Sequence, residues 1–146
     1  MALNLTVMKQ TADRAFLDSN ILIYCYTNSE PKKKQKAFRI IDNSVHLSIS
    51  TQVLQEFCNV AHKKFTPQEI DLETALSEIE SMVSVYMNSM NTIRKANAIK
   101  SKYGYSFYDS LIISAALECG CAILYSEDMQ HGQVIENKLK IINPFK

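Results

Sequence analysis

The sequence predicts a single α/β domain with three layers, α/β/α, built around a mostly parallel, twisted sheet of four or five strands. Three observations support this fold class. The chain has 146 residues, which suits one domain. Short apolar runs alternate with segments of helix length. The run from Cys121 to Leu124 is continuously apolar, as expected of a parallel strand buried on both faces. We expect residues 14–146 to form this domain and residues 1–13 to form a flexible N-terminal extension.

The first half of the chain predicts two strands and three helices. Pro31 suits the first turn of a helix, where no amide hydrogen is needed, and Ser50 or Thr51 can cap the helix that follows the second strand. In order, these elements are a strand over 14–17, a helix over 21–26, a helix over 32–41, a strand over 45–49 and a helix over about 51–64.

The second half predicts three further helices and two or three strands. Thr66 and Glu69 have the spacing of a capping box, which predicts a helix from this point to about Met82. Residues 83–87 form either a short strand or irregular structure. A helix over 90–102 is expected to end at Gly104 in a left-handed conformation. The remaining elements are a helix over 106–120 and strands over 121–125 and 140–142.

The composition excludes several classes of protein. Hydrophobic residues make up 47% of the chain and charged residues 21%, with a net charge of +1, as in an average soluble globular protein. The glycines lack the spacing of dinucleotide and P-loop sites, and serine-hydrolase and zinc-protease motifs are missing. We expect reduced core cysteines, no membrane segment, no signal peptide and a cytoplasmic location. The sequence leaves open whether Met1 or Met8 is the start.

Four acidic residues are expected at one edge of the sheet. Asp18 and Asp128 follow strands, whereas Glu56 and Asp109 lie near the amino ends of helices. These strand and helix ends meet at the same edge in a parallel α/β fold. Two such charges at ~4 Å repel by about 4 kcal/mol at an effective dielectric near 20, so an unpaired cluster requires a divalent cation. Oxygen ligands select Mg²⁺ or Mn²⁺ over zinc.

Each acid also has a simpler interpretation. Asp18 can cap the helix that follows it, and Asp109 can complete a capping box with Ser106. Glu56 can be an exposed glutamate at the border of an apolar stripe, and Asp128 an ordinary loop acid. Against this, the predicted helix places Asp109 on an apolar side, opposite a face made by Ser110, Ser114 and Glu118. A carboxylate buried there needs a cation or a proton.

Four ordered motifs resemble those of the PIN-domain nucleases, particularly the VapC-type toxins of bacterial toxin–antitoxin pairs. They are FLDSNIL at 16–22, STQVLQEF at 50–57, YSFYDSLI at 105–112 and LYSEDMQHG at 124–132. Ser19 stands where the family often has threonine. The resemblance covers about residue 14 to Phe145 and implies a PIN-like fold. It also implies a metal-dependent endoribonuclease that acts as the toxin of a type II pair, forms a homodimer and is inhibited by a small antitoxin.

The resemblance also implies roles for single residues. Asp18, Glu56, Asp109 and Asp128 would form the acidic cluster, supported by Asn20 and Ser126. We expect Asp18 and Asp109 to contact the metal directly, while Glu56 and Asp128 hold a second metal, orient the water or accept its proton. Glu127 is the alternative to Asp128.

A positive surface for RNA is expected on the helix that follows Pro31. Its cations are Lys32, Lys33, Lys34, Lys36 and Arg39. Acidic residues concentrate instead between Thr66 and Met82, so charge is segregated despite the low net charge. The aromatic residues Tyr103, Tyr105, Phe107 and Tyr108 could stack on bases.

Two other functions compete with the nuclease. A phosphatase of the haloacid-dehalogenase type generally needs a second aspartate where this chain has Asn20, and the acidic pair and late lysine of a receiver domain are missing. The alternative that we retain is a catalytically inactive PIN-like module that binds RNA or protein.

Overall fold

The computed structural model describes residues 13–146, within which the chain forms six strands and six helices. The strands are β1 (Arg14–Leu17), β2 (His46–Ser50), β3 (Ser84–Tyr86), β4 (Ile123–Tyr125), β5 (Val134–Ile135) and β6 (Leu139–Ile142). The helices are α1 (Ser19–Tyr26), α2 (Pro31–Asn43), α3 (Thr51–Lys64), α4 (Leu72–Met82), α5 (Met90–Tyr103) and α6 (Phe107–Glu118). Of the predicted N-terminal extension, residues 1–12 and the question of a start at Met1 or Met8 lie outside the described part.

The strands form one sheet in the order β3-β2-β1-β4-β6-β5. All neighbouring pairs are parallel except β5 and β6, which confirms the predicted α/β class with a mostly parallel sheet. The sheet has one strand more than the upper expectation, because β5 and β6 form a tight hairpin. Three residues connect the two strands, and the first two of them, Glu136 and Asn137, adopt positive φ, at 53° and 56°, as the central residues of a type I′ turn do.

The core is built from the central strands and the helices that pack on them. Phe16 and Leu17 of β1, Ile49 of β2 and Leu124 of β4 have no exposed surface. Around them, α1 packs against α2 and α3, and α5 packs against α6. None of the helices within residues 13–146 is both long and apolar enough to cross a membrane. The cysteines are all unpaired, two of them buried and two partly so, in agreement with reduced thiols.

The prediction that Ser110, Ser114 and Glu118 form a polar face of α6 is wrong for the two serines. Ser110 and Ser114 are fully buried, as are nearly all residues from Ser110 to Ala116. The Ser114 hydroxyl donates a 2.8 Å hydrogen bond to the backbone oxygen of Thr92 in α5. Serine is small enough to let two helices pack closely, and the hydroxyl of Ser114 is satisfied by the neighbouring backbone, whereas the buried hydroxyl of Ser110 has no hydrogen-bond partner within the described residues. The helix is therefore enclosed on most sides.

The start of α4 also differs from the prediction. Thr66 and Glu69 do form the predicted hydrogen bonds, including Glu69 N to Thr66 Oγ1 at 3.3 Å, but they close only a single turn. The chain then leaves the helical path to bury Ile70, which is 6% exposed, and α4 begins at Leu72. Burial of Ile70 thus overrides the local capping signal.

Candidate active site

Asp18 connects the end of β1 to the start of α1 and is 4% exposed. Its Oδ1 accepts a 2.7 Å hydrogen bond from the amide of Ser19 and so caps α1. Its Oδ2 accepts a 2.7 Å hydrogen bond from the hydroxyl of Ser126, beyond β4. Capping of the helix therefore uses only Oδ1 of Asp18. The other oxygen, Oδ2, contacts Ser126 beyond the neighbouring strand β4.

The pKa of Asp18 is raised to about 6, mainly because burial disfavours the charged carboxylate. Hydrogen bonds from Ser126 and Ser19 act in the opposite direction, whereas the negative charges of Glu56 and Asp109 raise the pKa further. Three of the four expected acids therefore interact electrostatically at this edge.

Glu56 is held by two polar neighbours, and this differs from the free, exposed glutamate of the simpler interpretation. The hydroxyl of Ser19 donates to Glu56 Oε2 at 3.1 Å, and the amide of Gln52 donates to Oε1 at 3.0 Å. The same Gln52 nitrogen also donates to the backbone oxygen of Tyr108 at 3.0 Å. Gln52 thus connects Glu56 to the start of the helix that carries Asp109.

Asp109 lies in the first turn of α6 and is half-buried. Its amide donates to the hydroxyl of Ser106 at 3.1 Å, so the predicted capping contact is present. Burial raises the pKa of Asp109, a hydrogen bond with Ser106 lowers it, and the charge of Asp128 raises it again. The carboxyl group of Asp109 thus interacts with both Asp18 and Asp128.

The structure separates Asp128 from Glu127. Asn20 donates a 3.3 Å hydrogen bond to Oδ2 of Asp128, which is exposed. Glu127 instead forms an ion pair with Lys33 at 2.7 Å and accepts a 2.6 Å hydrogen bond from Tyr24. Burial alone would raise the pKa of Glu127, but the hydrogen bonds from Lys33 and Tyr24 outweigh it and lower the pKa. The negative charge of Glu127 is therefore neutralised by Lys33, whereas the charge of Asp128 acts on Asp109.

The four carboxylates have no basic partner among the described residues. The ion pairs there are Lys33 with Glu127 and Lys102 with Glu136, and neither involves the cluster. Burial is the main cause of the raised pKa values of Asp18 and Asp109, and neighbouring carboxylates add to it: Glu56 and Asp109 for Asp18, and Asp128 for Asp109. This charge, together with a donor set made only of oxygen atoms, fits a hard divalent cation.

The arrangement is nevertheless not a closed coordination sphere. As they stand in residues 13–146, no three Asp, Glu, His or Cys side chains are close enough to hold one metal ion together. The argument for a cation therefore rests on two features: the site offers only oxygen ligands, and its carboxylates have no basic partner within the described residues. Asp18 and Glu56 are each fixed by two hydrogen bonds, whereas the exposed Asp128 has one.

A cleft of about 390 Å³ opens beside the acids. Its lining includes Ser19, Asn20, Asp128, Lys64 and Phe65. Of the cations expected on α2, Lys33 is committed to Glu127, and Lys34 donates to Asn28 at 2.8 Å. The remaining α2 cations, which are exposed, are Lys32, Lys36 and Arg39.

The four aromatic residues before Asp109 divide into two groups. Tyr103 and Tyr105 bond to the loop and hairpin after β4, since Tyr103 accepts from the amide of Glu136 at 3.0 Å and Tyr105 donates to Gln133. Tyr108 is 67% exposed and contacts the edge of the Phe107 ring. Tyr108 is thus the member of this group that is free to meet a ligand.

Two polar residues that hold the acids were not selected from the sequence. They are Ser19 and Gln52, both of which donate to Glu56. The spacing of Gln52 and Glu56, one helical turn apart, was an available signal, because residues four apart share a helix face. Ser19 had no comparable signal, because its partner is 37 residues away in the chain.

Comparison with known proteins identifies the family and the fold. A family model described as the PIN domain matches residues 15–136. A toxin–antitoxin complex from Klebsiella pneumoniae superposes with a TM-score of 0.66 at 17% identity, covering 89% of this chain and 97% of that chain. A sarcin–ricin loop cleaving toxin, VapC20 of Mycobacterium tuberculosis, gives 0.64 at 14% identity and covers 75% and 86%. VapBC2 of Rickettsia felis, bound to a promoter DNA fragment, gives 0.62 at 18% identity and covers 88% and 98%. A search of curated proteins gives no significant match.

Proposed function

Because the chain belongs to the PIN-domain family, we propose that it is a divalent-metal-dependent endoribonuclease and the toxin of a type II toxin–antitoxin pair. The family consists of nucleases. Its structural relatives here include toxin–antitoxin complexes and a sarcin–ricin loop cleaving toxin, which supports a toxin with a protein antitoxin. The proposal includes a cytoplasmic location and a homodimer.

One observation carries the proposal. Asp18, Glu56, Asp109 and Asp128 come from four separate segments, face the same sheet edge and have no basic partner in the described residues. A cluster of this kind destabilises a fold unless it serves a cation or a proton transfer.

The carboxylates of Asp18 and Asp109 would hold Mg²⁺ or Mn²⁺, with Glu56 and Asp128 beside them. When bound, such a cation lowers the pKa of a water molecule and neutralises charge on the scissile phosphate. Ser126 and the Ser19 amide hold both oxygens of Asp18 in a fixed orientation. Asn20 does the same for one oxygen of Asp128. These contacts keep the negative groups in place before RNA arrives.

Glu56 is the residue best placed to accept a proton from the attacking water. Ser19 and Gln52 orient its two oxygens, and its charge reaches Asp18. The neighbouring cleft, whose lining includes Lys64, would provide room for the nucleotide next to the cleaved bond.

The substitution Asp109→Asn tests the proposal. It keeps the size of the side chain and the capping amide, so the circular dichroism spectrum should be unchanged while cleavage of total RNA is abolished. The wild-type chain should cleave in Mg²⁺ or Mn²⁺ and stop in chelator. Asp42→Asn, on the exposed surface of α2, is the matched control and should cleave normally. Cleavage that survives Asp109→Asn would contradict the assignment.

The same experiment tests the alternative function, a catalytically inactive PIN-like module that binds RNA or protein. The open spacing of the carboxylates is the observation that favours such a module. A wild-type chain that binds RNA but cleaves none in either metal would support it.

A further inference from the structure

The loop that follows β4 carries two groups of the acidic site. It runs from Ser126 to His131, and we call it the 126–131 loop. Ser126 holds one oxygen of Asp18 from this loop, and the exposed Asp128 is itself one of the four acids. The loop lies outside the helices and strands, so its conformation depends on contacts with other segments.

The chain that follows β6 supplies several of these contacts. Asn143, the first residue beyond this strand, donates from Nδ2 to the backbone oxygen of Glu127 at 3.2 Å. Its backbone amide donates to Nδ1 of His131 at 2.9 Å. Its Oδ1 accepts a 2.9 Å hydrogen bond from the amide of Phe145, which closes residues 143–145 into a turn. Asn143 therefore holds the loop on both sides of Asp128.

Phe145 holds the same turn against α1 and α2. The edge-on rings of Phe145 and Tyr24 have centroids 5.0 Å apart, and Nζ of Lys33 lies 5.7 Å from the Phe145 centroid. Tyr24 and Lys33 are also the residues that bond to the carboxylate of Glu127. The backbone of Glu127 thus contacts Asn143 directly, and its side chain contacts the two residues on which Phe145 packs.

Asp128 lies between two anchored neighbours. Glu127 precedes it, and Met129, which follows it, is 4% exposed. The amide of Glu127 donates to Oδ1 of Asn20 at 3.4 Å, and Nδ2 of Asn20 donates to Asp128. Within the described residues this is the one hydrogen bond to the Asp128 carboxylate. The position of that carboxylate therefore depends on the backbone to either side of it.

We propose that Asn143 and Phe145 are positioning residues for the reaction, because they hold the 126–131 loop so that Asp128 stays beside the other acids. This inference rests on the proposed nuclease function. Neither residue is among those that line the cleft beside the acids. Their loss should therefore slow the chemical step and leave RNA binding unchanged.

Amide hydrogen exchange, in chelator and without RNA, tests whether these residues order the loop. Asn143→Ala and Phe145→Leu should each speed exchange about tenfold at the amides of Ser126 and Glu127, and leave the amides of β1 unchanged. The two variants remove different contacts, so one remains informative if circular dichroism shows that the other does not fold. Wild-type exchange rates in the loop of both variants would overturn the proposal.

The matched control for exchange and for cleavage is Asn91→Ala on α5. This variant also loses a side-chain hydrogen bond, which Asn91 donates to Glu118 at 3.1 Å. Both the exchange rates of the loop and RNA cleavage should stay as in wild type.

RNA cleavage tests whether the order of the loop matters to the reaction. At saturating Mg²⁺, Asn143→Ala and Phe145→Leu should each lower kcat about 10- to 100-fold and leave KM for RNA within about twofold. Phe145→Tyr, which keeps the ring, should retain kcat near wild type. On an Asp128→Asn background, Asn143→Ala should lower kcat by less than about threefold, because both changes act through the same carboxylate.

Three results of the cleavage assay would overturn the proposal: a wild-type kcat in both variants, a loss confined to KM, or a full additional loss in the double variant. A wild type that cleaves no RNA would contradict the proposed function instead. The exchange rates would then still decide whether Asn143 and Phe145 order the loop, because that measurement needs neither RNA nor metal.

Discussion

The Asp18 side chain both begins a helix and carries a charge that its surroundings disfavour. Burial and the charges of Glu56 and Asp109 raise its pKa from 3.8 to about 6. The folded chain therefore holds this proton at a higher pH than the unfolded chain does. The stability that protonation provides is complete below pH 3.8 and is lost as the pH rises through about 6.

The substitution Asp18→Asn, studied in chelator so that no metal ion is bound, should reveal the free-energy cost of burying the charged carboxylate. Asparagine also caps helices, but it carries no charge to be penalised. The variant should exceed wild type in free energy of unfolding by about 1–3 kcal/mol at neutral pH, and the difference should shrink towards about pH 4.5. Urea unfolding of both proteins across this range measures the difference. A difference that does not change with pH would show that Asp18 titrates normally in the fold.

Gln52 orients Glu56 from the same helix and reaches Tyr108 across the site. Gln52→Ala should lower RNA cleavage about 10- to 100-fold, the usual effect of losing a residue that orients a metal-site carboxylate. The matched control is Gln55→Ala on the exposed side of α3, which should cleave as wild type does. The decisive readout is the rate at saturating metal, since a purely structural role for Gln52 would change the melting temperature and leave this rate unaltered.

At this scale the sequence was informative about the acids and much less so about their neighbours. The ends of predicted strands and helices were enough to bring Asp18, Glu56, Asp109 and Asp128 to one edge. Contacts such as Ser19 with Glu56 depend on side-chain direction across two elements, which periodicity does not determine. Likewise, pairing of Glu127 with Lys33 spans 94 residues of chain and has no local signal.

Among the elements, α2 concentrates exposed positive charge. Three of its cations, Lys32, Lys36 and Arg39, are exposed and form no ion pair within residues 13–146, which leaves them available to contact phosphate, whereas Lys33 is held by Glu127. The helix thus combines one structural lysine with a positive outer surface.

Replacing Lys32, Lys36 and Arg39 together by alanine should weaken RNA binding and lower the slope of its salt dependence by roughly 2, at about 0.7 per phosphate contact. Binding is best measured on the Asp109→Asn background, where RNA stays intact. The comparison variant replaces the exposed Lys100, Lys138 and Lys140, which lie on other elements, by alanine and should keep the slope. An unchanged slope in the α2 variant would assign its charges to ordinary solvated surface.

Most elements were predictable because their signals are local. Pro31 begins α2, Ser50 caps α3 through the amide of Val53, and Gly104 ends α5 with φ of 80°. The failures have tertiary causes. Ile70 is drawn into the core and delays α4, while Ser110 and Ser114 are buried because α5 lies against them. The hairpin before β6 escaped prediction because β5 has only two residues.

For the molecule as a whole, the unpaired acidic edge predicts that a divalent cation stabilises the fold. Mn²⁺ at about 100 times its dissociation constant should add about 2.7 kcal/mol and so raise the melting temperature. Asp109→Asn should remove most of this rise. Glu127→Gln is the control, because that side chain is already compensated by Lys33, and its variant should keep the rise. Equal responses in both variants would place the cation elsewhere.

The position of β1 in the sheet determines when the acidic edge can become ordered during translation. This early strand lies at the centre and pairs with β4, and the hydroxyl that orients Asp18 comes from Ser126, 108 residues later. A growing chain on the ribosome therefore lacks an ordered acidic edge until nearly all of it has been translated. If the proposed function is correct, the chain is expected to cleave RNA only once its C-terminal strands have been made.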